Sequence, residues 1–181
     1  MSPRPLPPYT HIPGVTPHPI RDPAGHSYEG PHASPVSSLP TAHAPLTWAE
    51  LPDHSEFQWA VRLFNAGYYW ESHEAWESLW HAAGRTGPLA DFLKGLIKLA
   101  AAGVKLREHN LVGVERHARR ALELFLEVRH GLVDVSEMRG PIPIVALMEI
   151  AEPLVQHPPR LPDDRTGIPR PCLPPLPWPA T

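Results

Sequence analysis

The sequence predicts an all-α fold, a compact bundle of four to five helices built from helical hairpins and flanked by disordered proline-rich arms. Apolar residues recur at helical intervals between about residues 55 and 154, and no two-residue alternation there lasts long enough for a strand. Of the 26 prolines, 12 lie between Pro3 and Pro45 and 9 between Pro158 and Pro179, which leaves five for the middle of the chain. The core is therefore expected in the middle.

The proline-rich segments set the predicted boundaries. Proline has no amide proton and fixes φ, so such segments form neither helices nor sheet ladders. We therefore predict a disordered arm at residues 1–46, a helical domain at 47–156 and a disordered tail at 157–181. Two other readings of residues 174–179 stay open, because Pro-Pro-Leu-Pro-Trp-Pro is also typical of a ligand for a partner's aromatic groove, or of a segment that lays Trp178 on its own domain.

The first two helices are predicted from their end signals. Asp53 followed by Glu56 has the spacing of a capping box, which predicts a helix over about Ser55–Asn65. Gly67 suits the left-handed residue that ends a helix, so a tight turn should lead into a second helix over about Tyr69–Ala83. Two helices joined this closely form an antiparallel hairpin.

Three further helices complete the bundle. The third, about Pro88–Glu108, carries apolar residues around most of its circumference, which predicts a central position. Asn110 is the predicted cap of a fourth helix that runs to about His130. The fifth is predicted over about Ile142–Leu154, with Pro153 marking its end.

Composition excludes several classes of protein. A net charge of −3 and a pI near 6.4 give no basic surface of the kind that nucleic-acid binding needs. Cys172 is the one cysteine, so neither an intramolecular disulfide nor a cysteine metal cluster is expected. No signal peptide and no membrane span are recognised. We therefore expect a cytoplasmic protein that binds neither nucleic acid nor membrane.

The second helix concentrates the side chains that could carry chemistry. His73, Glu77 and His81 follow one another at four-residue spacing, and a neighbouring stripe holds Glu71 and Glu74, with Ser78. Imidazole and carboxylate one turn apart are what a zinc, iron or manganese site requires. However, the zinc-protease pattern needs histidine at position 77, and the di-metal bundle pattern needs a second Glu-x-x-His, which is not found. We therefore predict no cofactor, with zinc, iron or manganese as the alternative.

Partly buried carboxylates on this helix need a partner, since an unpaired buried charge is costly. Lys94, Lys98 and Lys105 form one stripe on the otherwise apolar third helix. The stripe is either a solvent face or the partner of Glu71 or Glu74.

A family resemblance follows from two segments in order. They are Phe64-Asn65-x-Gly67-x-Tyr69-x-Glu71-x-His73-Glu74-x-x-Glu77-x-x-Trp80 and Phe92-Leu93-x-Gly95-Leu96-Ile97-x-Leu99-Ala100-Ala101. From about Phe57 to Phe125, the chain resembles the bacterial and archaeal family called domain of unknown function 309. The resemblance implies a small all-α domain, and it marks signature positions without giving them a role: Phe64, Asn65, Gly67, Tyr69, Glu71, His73, Glu74, Trp80 and Gly95. Positions 94 and 98 are lysine here, where many members have glutamine.

Two functions are consistent with these features. The first is a helical binding or interaction module, in which the helix with the Glu/His motif forms a structural polar core or a small ligand pocket. Its expected partners are a second copy of the chain and a protein that binds the proline-rich tail. The alternative is a metal-assisted or acid/base hydrolase with a pocket where the second and third helices meet, its candidate catalytic residues being Glu71, His73, Glu74, Glu77 and, as an anion anchor, Lys98.

Overall fold

The computed structural model describes residues 4–30, 46–131, 141–163 and 166–178. These ranges contain five helices and no strand, and the helices are α1 (Ser55–Asn65), α2 (Tyr69–Ala82), α3 (Pro88–Arg107), α4 (Leu111–Gly131) and α5 (Ile144–Gln156). The predicted all-α bundle is confirmed. Within the same ranges, no helix is long and apolar enough to cross a membrane.

The helices pack in the order of the chain, α1 on α2, α2 on α3, α3 on α4 and α4 on α5. The central position predicted for α3 is confirmed, and two of its glycines make close packing possible. A Cβ on Gly95 would lie 2.4 Å from Cε1 of Phe125 in α4. A Cβ on Gly103 would lie 2.6 Å from Cγ of Tyr69 in α2. Aromatic rings on both neighbours therefore lie directly against the α3 backbone.

Every predicted helix end lies within two residues of the observed one, and three details need correction. The capping box of Asp53 and Glu56 is wrong, because the Nδ1 atom of His54 accepts the amide of Glu56 at 3.3 Å and makes His54 the cap of α1. Helix α5 does not start at Ile142, because a residue before proline avoids helical φ and ψ, and Pro143 precedes the first turn. It also continues past Pro153, whose carbonyl accepts the amide of His157 at 2.8 Å.

Two parts of the predicted disordered arms are ordered against the helical domain. Residues 4–30 and 166–178 form no helix or strand, as proline requires, but they lie on the helical domain. Six of their residues are buried: Thr10, His11, Ile12, Pro19, Leu173 and Leu176. An extended segment can order in this way when side chains of the domain bind its backbone polar groups. The prediction of disorder for 1–3, 31–45, 164–165 and 179–181 lies outside the described residues.

Candidate functional site

Glu71 is the buried acid of the motif helix, and the N-terminal arm supplies its partners. Its carboxylate accepts the hydroxyl of Thr10 at 2.9 Å and the backbone amide of His11 at 2.8 Å. Nε2 of His26 lies 3.3 Å from the same carboxylate. The first turn of α2 therefore binds the arm through one buried acid, which satisfies the need for a partner that the sequence indicated.

The lysines of α3 do not supply that partner. Lys94 places its ammonium 5.8 Å from the centre of the Trp80 ring, and Lys105 bonds the carboxylate of Glu108 at 2.6 and 2.9 Å. Across the described ranges, neither Lys94 nor Lys98 forms an ion pair with Glu71 or Glu74. Of the two readings of the lysine stripe, the one that pairs it with Glu71 or Glu74 is therefore not the one observed, and Glu71 takes its donors from the N-terminal arm instead.

The structure brings together His73 and Glu77, one turn apart as predicted, with Glu74 of the neighbouring stripe, whereas His81 is not part of this group. One ligand atom from each lies within 4.8 Å of the others, and all three residues are half-buried. Nδ1 of His73 is 3.4 Å from Oε1 of Glu74, without hydrogen-bond geometry. The cluster is thus a geometric candidate for a divalent metal ion. Glu71 belongs to a separate contact.

Glu71 and Glu74 do not line a pocket between α2 and α3, where the hydrolase hypothesis placed one. Both acids line an open cavity of about 250 Å³, whose described lining residues come from α1, α2 and the N-terminal arm and not from α3. Nearby, the Trp70 ring is in edge contact with the rings of His11 at 4.7 Å and His18 at 5.5 Å. The arm thus replaces α3 as the opposite wall.

His117 of α4 has a strongly altered proton affinity. Burial lowers its pKa to about 4, and the positive charges of Lys98, Arg116 and Lys105 act in the same direction, as does His73. Lys98 therefore acts electrostatically on this histidine, and its role as an anion anchor in the hydrolase hypothesis stays a prediction.

The second contact of the α1–α2 hairpin is with the C-terminal tail. The hydroxyl oxygen of Tyr69 accepts the consecutive backbone amides of Cys172 and Leu173 at 2.8 and 2.9 Å. The amide group of Asn65 binds Leu176 in both directions, donating to its carbonyl at 3.1 Å and accepting its amide proton at 2.7 Å. Two side chains thus bind three backbone amides and a carbonyl of an extended segment.

Gly67 and Arg107 extend this contact along the tail. Gly67 has φ of +85°, and a Cβ there would lie 2.4 Å from the carbonyl carbon of Arg170, so only glycine permits the backbone to pass. Arg107, at the end of α3, donates to the carbonyls of Thr166 at 2.8 Å and Ile168 at 3.0 Å. The tail is bound through its backbone over most of its described length.

Apolar side chains of the tail complete the contact. Leu173 and Leu176 are 6% and 2% exposed and belong to the core, while the Trp178 ring meets the Phe57 ring edge-on at 5.4 Å. The alternative that lays Trp178 on its own domain is confirmed. Burial raises the pKa of the Cys172 thiol. We call the surface of the domain that holds the tail the tail groove. It includes Asn65, Gly67, Tyr69 and Arg107.

The N-terminal arm is bound beside the tail in a similar way. The Tyr68 hydroxyl donates to the carbonyl of Pro7 at 2.8 Å, and Arg62 donates to the carbonyl of Arg4 at 2.6 Å. The two arms also bond each other, the amide of Thr10 donating to the carbonyl of Gly167 at 2.9 Å. The α1–α2 hairpin therefore carries two adjacent non-helical segments.

Comparison with known families agrees with the resemblance seen in the sequence. Residues 57–117 match the family model described as a domain of unknown function, DUF309. This segment is a DUF309 domain. Among curated proteins, none matches the chain. The matched residues cover α1, α2, α3 and the start of α4, so the tail and the N-terminal arm lie outside the region that defines the DUF309 domain.

The signature positions that the resemblance implied divide by what they contact. Asn65, Gly67, Tyr69 and Glu71 meet the arms. Phe64 and Gly95 serve packing, since Phe64 contacts the Tyr69 and Trp76 rings and Gly95 faces Phe125. His73, Glu74 and Trp80 bind neither arm through a hydrogen bond within the described residues.

Sequence reasoning missed the residues that complete these contacts. They are Thr10, His11, His26, Tyr68, Arg107, Leu173 and Leu176. One signal was present in the sequence. Leucines recur between the prolines of the tail, and disordered segments contain few such large apolar residues, which indicates that the tail packs on a surface.

Proposed function

We propose that the DUF309 domain of this protein is a binding module for extended proline-rich segments, and that its own arms occupy the binding surface. One observation carries the proposal: Asn65, Gly67 and Tyr69, three signature residues in one turn, all meet the backbone of residues 170–176. Residues that serve packing alone would have no need to pair with backbone amides and carbonyls in this way.

Recognition of this kind suits a proline-rich ligand. A proline-rich chain is already extended and loses little conformational entropy on binding, but it makes no internal hydrogen bonds. The Asn65 side chain donates to the carbonyl and accepts the amide proton of the same residue, Leu176, as the backbone of a neighbouring strand would. The Tyr69 oxygen accepts two consecutive amides. The surface therefore supplies the polar partners that such a chain lacks.

The thiol of Cys172 provides a test in the full-length protein, because it is the one cysteine of the chain and is largely buried while the tail is bound. We expect Asn65→Ala to increase its rate of reaction with a thiol reagent by about tenfold, since losing the paired hydrogen bonds costs about 1–2 kcal/mol of docking free energy. The rate is followed under conditions where the domain stays folded.

Asn110→Ala is the matched control for this test. The Asn110 side chain caps α4 by accepting the amide of Gly113 at 2.9 Å and forms no hydrogen bond with the described residues of the tail, and its loss lowers global stability by about 1 kcal/mol. Thiol reactivity should stay at the wild-type rate in this variant. Equal rates in the wild type and Asn65→Ala would contradict the proposal.

A second candidate function, metal-assisted hydrolysis, is favoured by the convergence of His73, Glu74 and Glu77. A divalent ion such as zinc bound there would lower the pKa of a bound water and so supply a hydroxide nucleophile. Glu71, in the predicted catalytic set, is occupied by the N-terminal arm and is not free to act as a base.

Elemental analysis tests this second candidate. The untagged protein is purified without chelator, and zinc, iron and manganese are counted per chain. Close to one metal ion per chain, lost in His73→Ala and in Glu77→Ala, is the result expected of a metal site. Absence of metal after incubation with each ion and desalting would rule it out.

A further inference from the structure

The pattern of prolines in the tail matches the pattern of acceptors in the tail groove. Residues 171–178 read Pro-Cys-Leu-Pro-Pro-Leu-Pro-Trp. Between positions 172 and 176, the residues with an amide proton are Cys172, Leu173 and Leu176, and each donates to Tyr69 or Asn65. The two positions between them, where the groove offers no such bond, are prolines. The groove thus distinguishes positions that need an amide proton from positions that do not.

The burial of the tail side chains follows the same pattern as the hydrogen bonds of its amides. Leu173 and Leu176 are buried, whereas Pro171, Pro174, Pro175 and Pro177 are exposed and hold the chain extended. Trp178 follows against Phe57. A segment moved by one residue would place a proline where an amide is bound and a proline ring where a leucine is buried.

The tail can dissociate without breaking the contacts between helices. The helices pack on one another in chain order, so their contacts with each other do not pass through the tail. Between the end of α5 and Thr166, most described residues are exposed. Dissociation of the tail would leave the Asn65 amide and the Tyr69 hydroxyl without their hydrogen bonds to the tail backbone. It would also empty the two sites in which Leu173 and Leu176 are buried.

We infer that the tail groove binds a proline-rich segment of another protein with the register x-Leu-Pro-Pro-Leu-Pro-Trp, and that the tail is a built-in competitor for it. This inference rests on the proposed function. The tail itself shows the chemistry of the occupant: amide protons at three positions, leucines at two of them and prolines between. Because the tail is tethered, its effective concentration is high, and a partner binds in the fraction of molecules whose tail has left.

The test uses the intact chain and the reactivity of Cys172. The probe is a synthetic peptide of residues 166–178 carrying C172S, so that it has no thiol of its own. Peptide bound to the open groove keeps the tail away, and the labelling rate should rise by the factor 1 + [peptide]/Kd, which is about tenfold at nine times Kd. The control peptide is N-methylated at Leu173 and Leu176, which removes two donors and keeps both side chains.

Each outcome decides a different point. Acceleration by the first peptide and not by the N-methylated one supports the inference, and equal acceleration by both overturns the register. If neither peptide acts while Asn65→Ala still accelerates labelling, a separate partner is ruled out and the proposed function stands for the tail alone. If Asn65→Ala has no effect, the proposed function fails. A labelling rate that falls with protein concentration, together with a dimer in sedimentation, would assign the groove to the tail of a second copy and overturn the inference.

Discussion

Glu71 shows at the scale of one residue how a buried charge orders a segment that has little structure of its own. One carboxylate receives the Thr10 hydroxyl, the His11 amide and the ring of His26. The sequence showed that a buried acid here needs a partner, but it could not show which. Three contributing residues lie 45 or more positions away along the chain, and no local pattern relates them to α2.

Removing this carboxylate should loosen the N-terminal arm. We expect Glu71→Ala to lower the free energy of unfolding by about 2–3 kcal/mol, because it leaves buried donors without an acceptor. Urea denaturation measures the change. Glu74→Ala is the matched control, since the Glu74 side chain is 41% exposed and binds no residue of the arm through a hydrogen bond, and its effect should stay within about 0.5 kcal/mol. Equal losses in the two variants would contradict this role of Glu71.

His117 makes stability depend on pH in a stated direction. Burial, first, and then the neighbouring cations lower its pKa from 6.5 to about 4 in the folded protein. Between these values the unfolded chain binds a proton that the folded chain does not, so the group favours unfolding as the pH falls from about 6.5 towards 4. We expect the melting temperature of His117→Gln to fall less steeply than that of the wild type across this interval. Parallel curves would show that His117 carries no such linkage.

At the scale of the helices, local signals predicted most of the fold. Gly67 and Asn110 end and begin helices where the sequence indicated, because left-handed φ and side-chain capping depend on a few adjacent residues. The cap of α1 was missed because histidine is an unusual cap, and its Nδ1 atom accepts in place of the carboxylate of Asp53. The extension of α5 through Pro153 was missed because a proline near the end of a helix removes a single bond.

The contact between α3 and α4 depends on the absence of a side chain at Gly95. A methyl group there would meet the Phe125 ring at 2.4 Å, and the ring is fully buried. We expect Gly95→Ala to lower the free energy of unfolding by about 1–2 kcal/mol, the cost of overpacking less the gain in helix propensity. Chemical denaturation measures it.

Gly131→Ala is the control for this prediction. A Cβ at Gly131, the last residue of α4, would meet nothing within 4 Å, so stability should be unchanged or slightly raised. A neutral Gly95→Ala would mean that Phe125 moves aside without cost.

At the scale of the whole molecule, the arms are where the sequence and the structure differ most. Composition correctly predicted that their described parts form no helix, but it did not show that residues 4–30 and 166–178 lie on the domain. Their order comes from side chains of α1, α2 and α3 that bind backbone groups more than 50 residues away, as Arg107 does with Thr166. Such pairings leave no periodic signal. The approach of His73 to Glu77 in α2, by contrast, was predictable because the two residues lie one helical turn apart.

Hydrogen exchange of the tail amides in the full-length protein tests the central claim most directly. The structure predicts slow exchange at Cys172, Leu173 and Leu176, about tenfold or more below the rate of an unstructured peptide, because each amide is bonded to Tyr69 or Asn65. In Asn65→Ala, the amide of Leu176 should lose this protection first. Exchange of all three amides at the rate of an unstructured peptide in the wild-type protein would contradict the account.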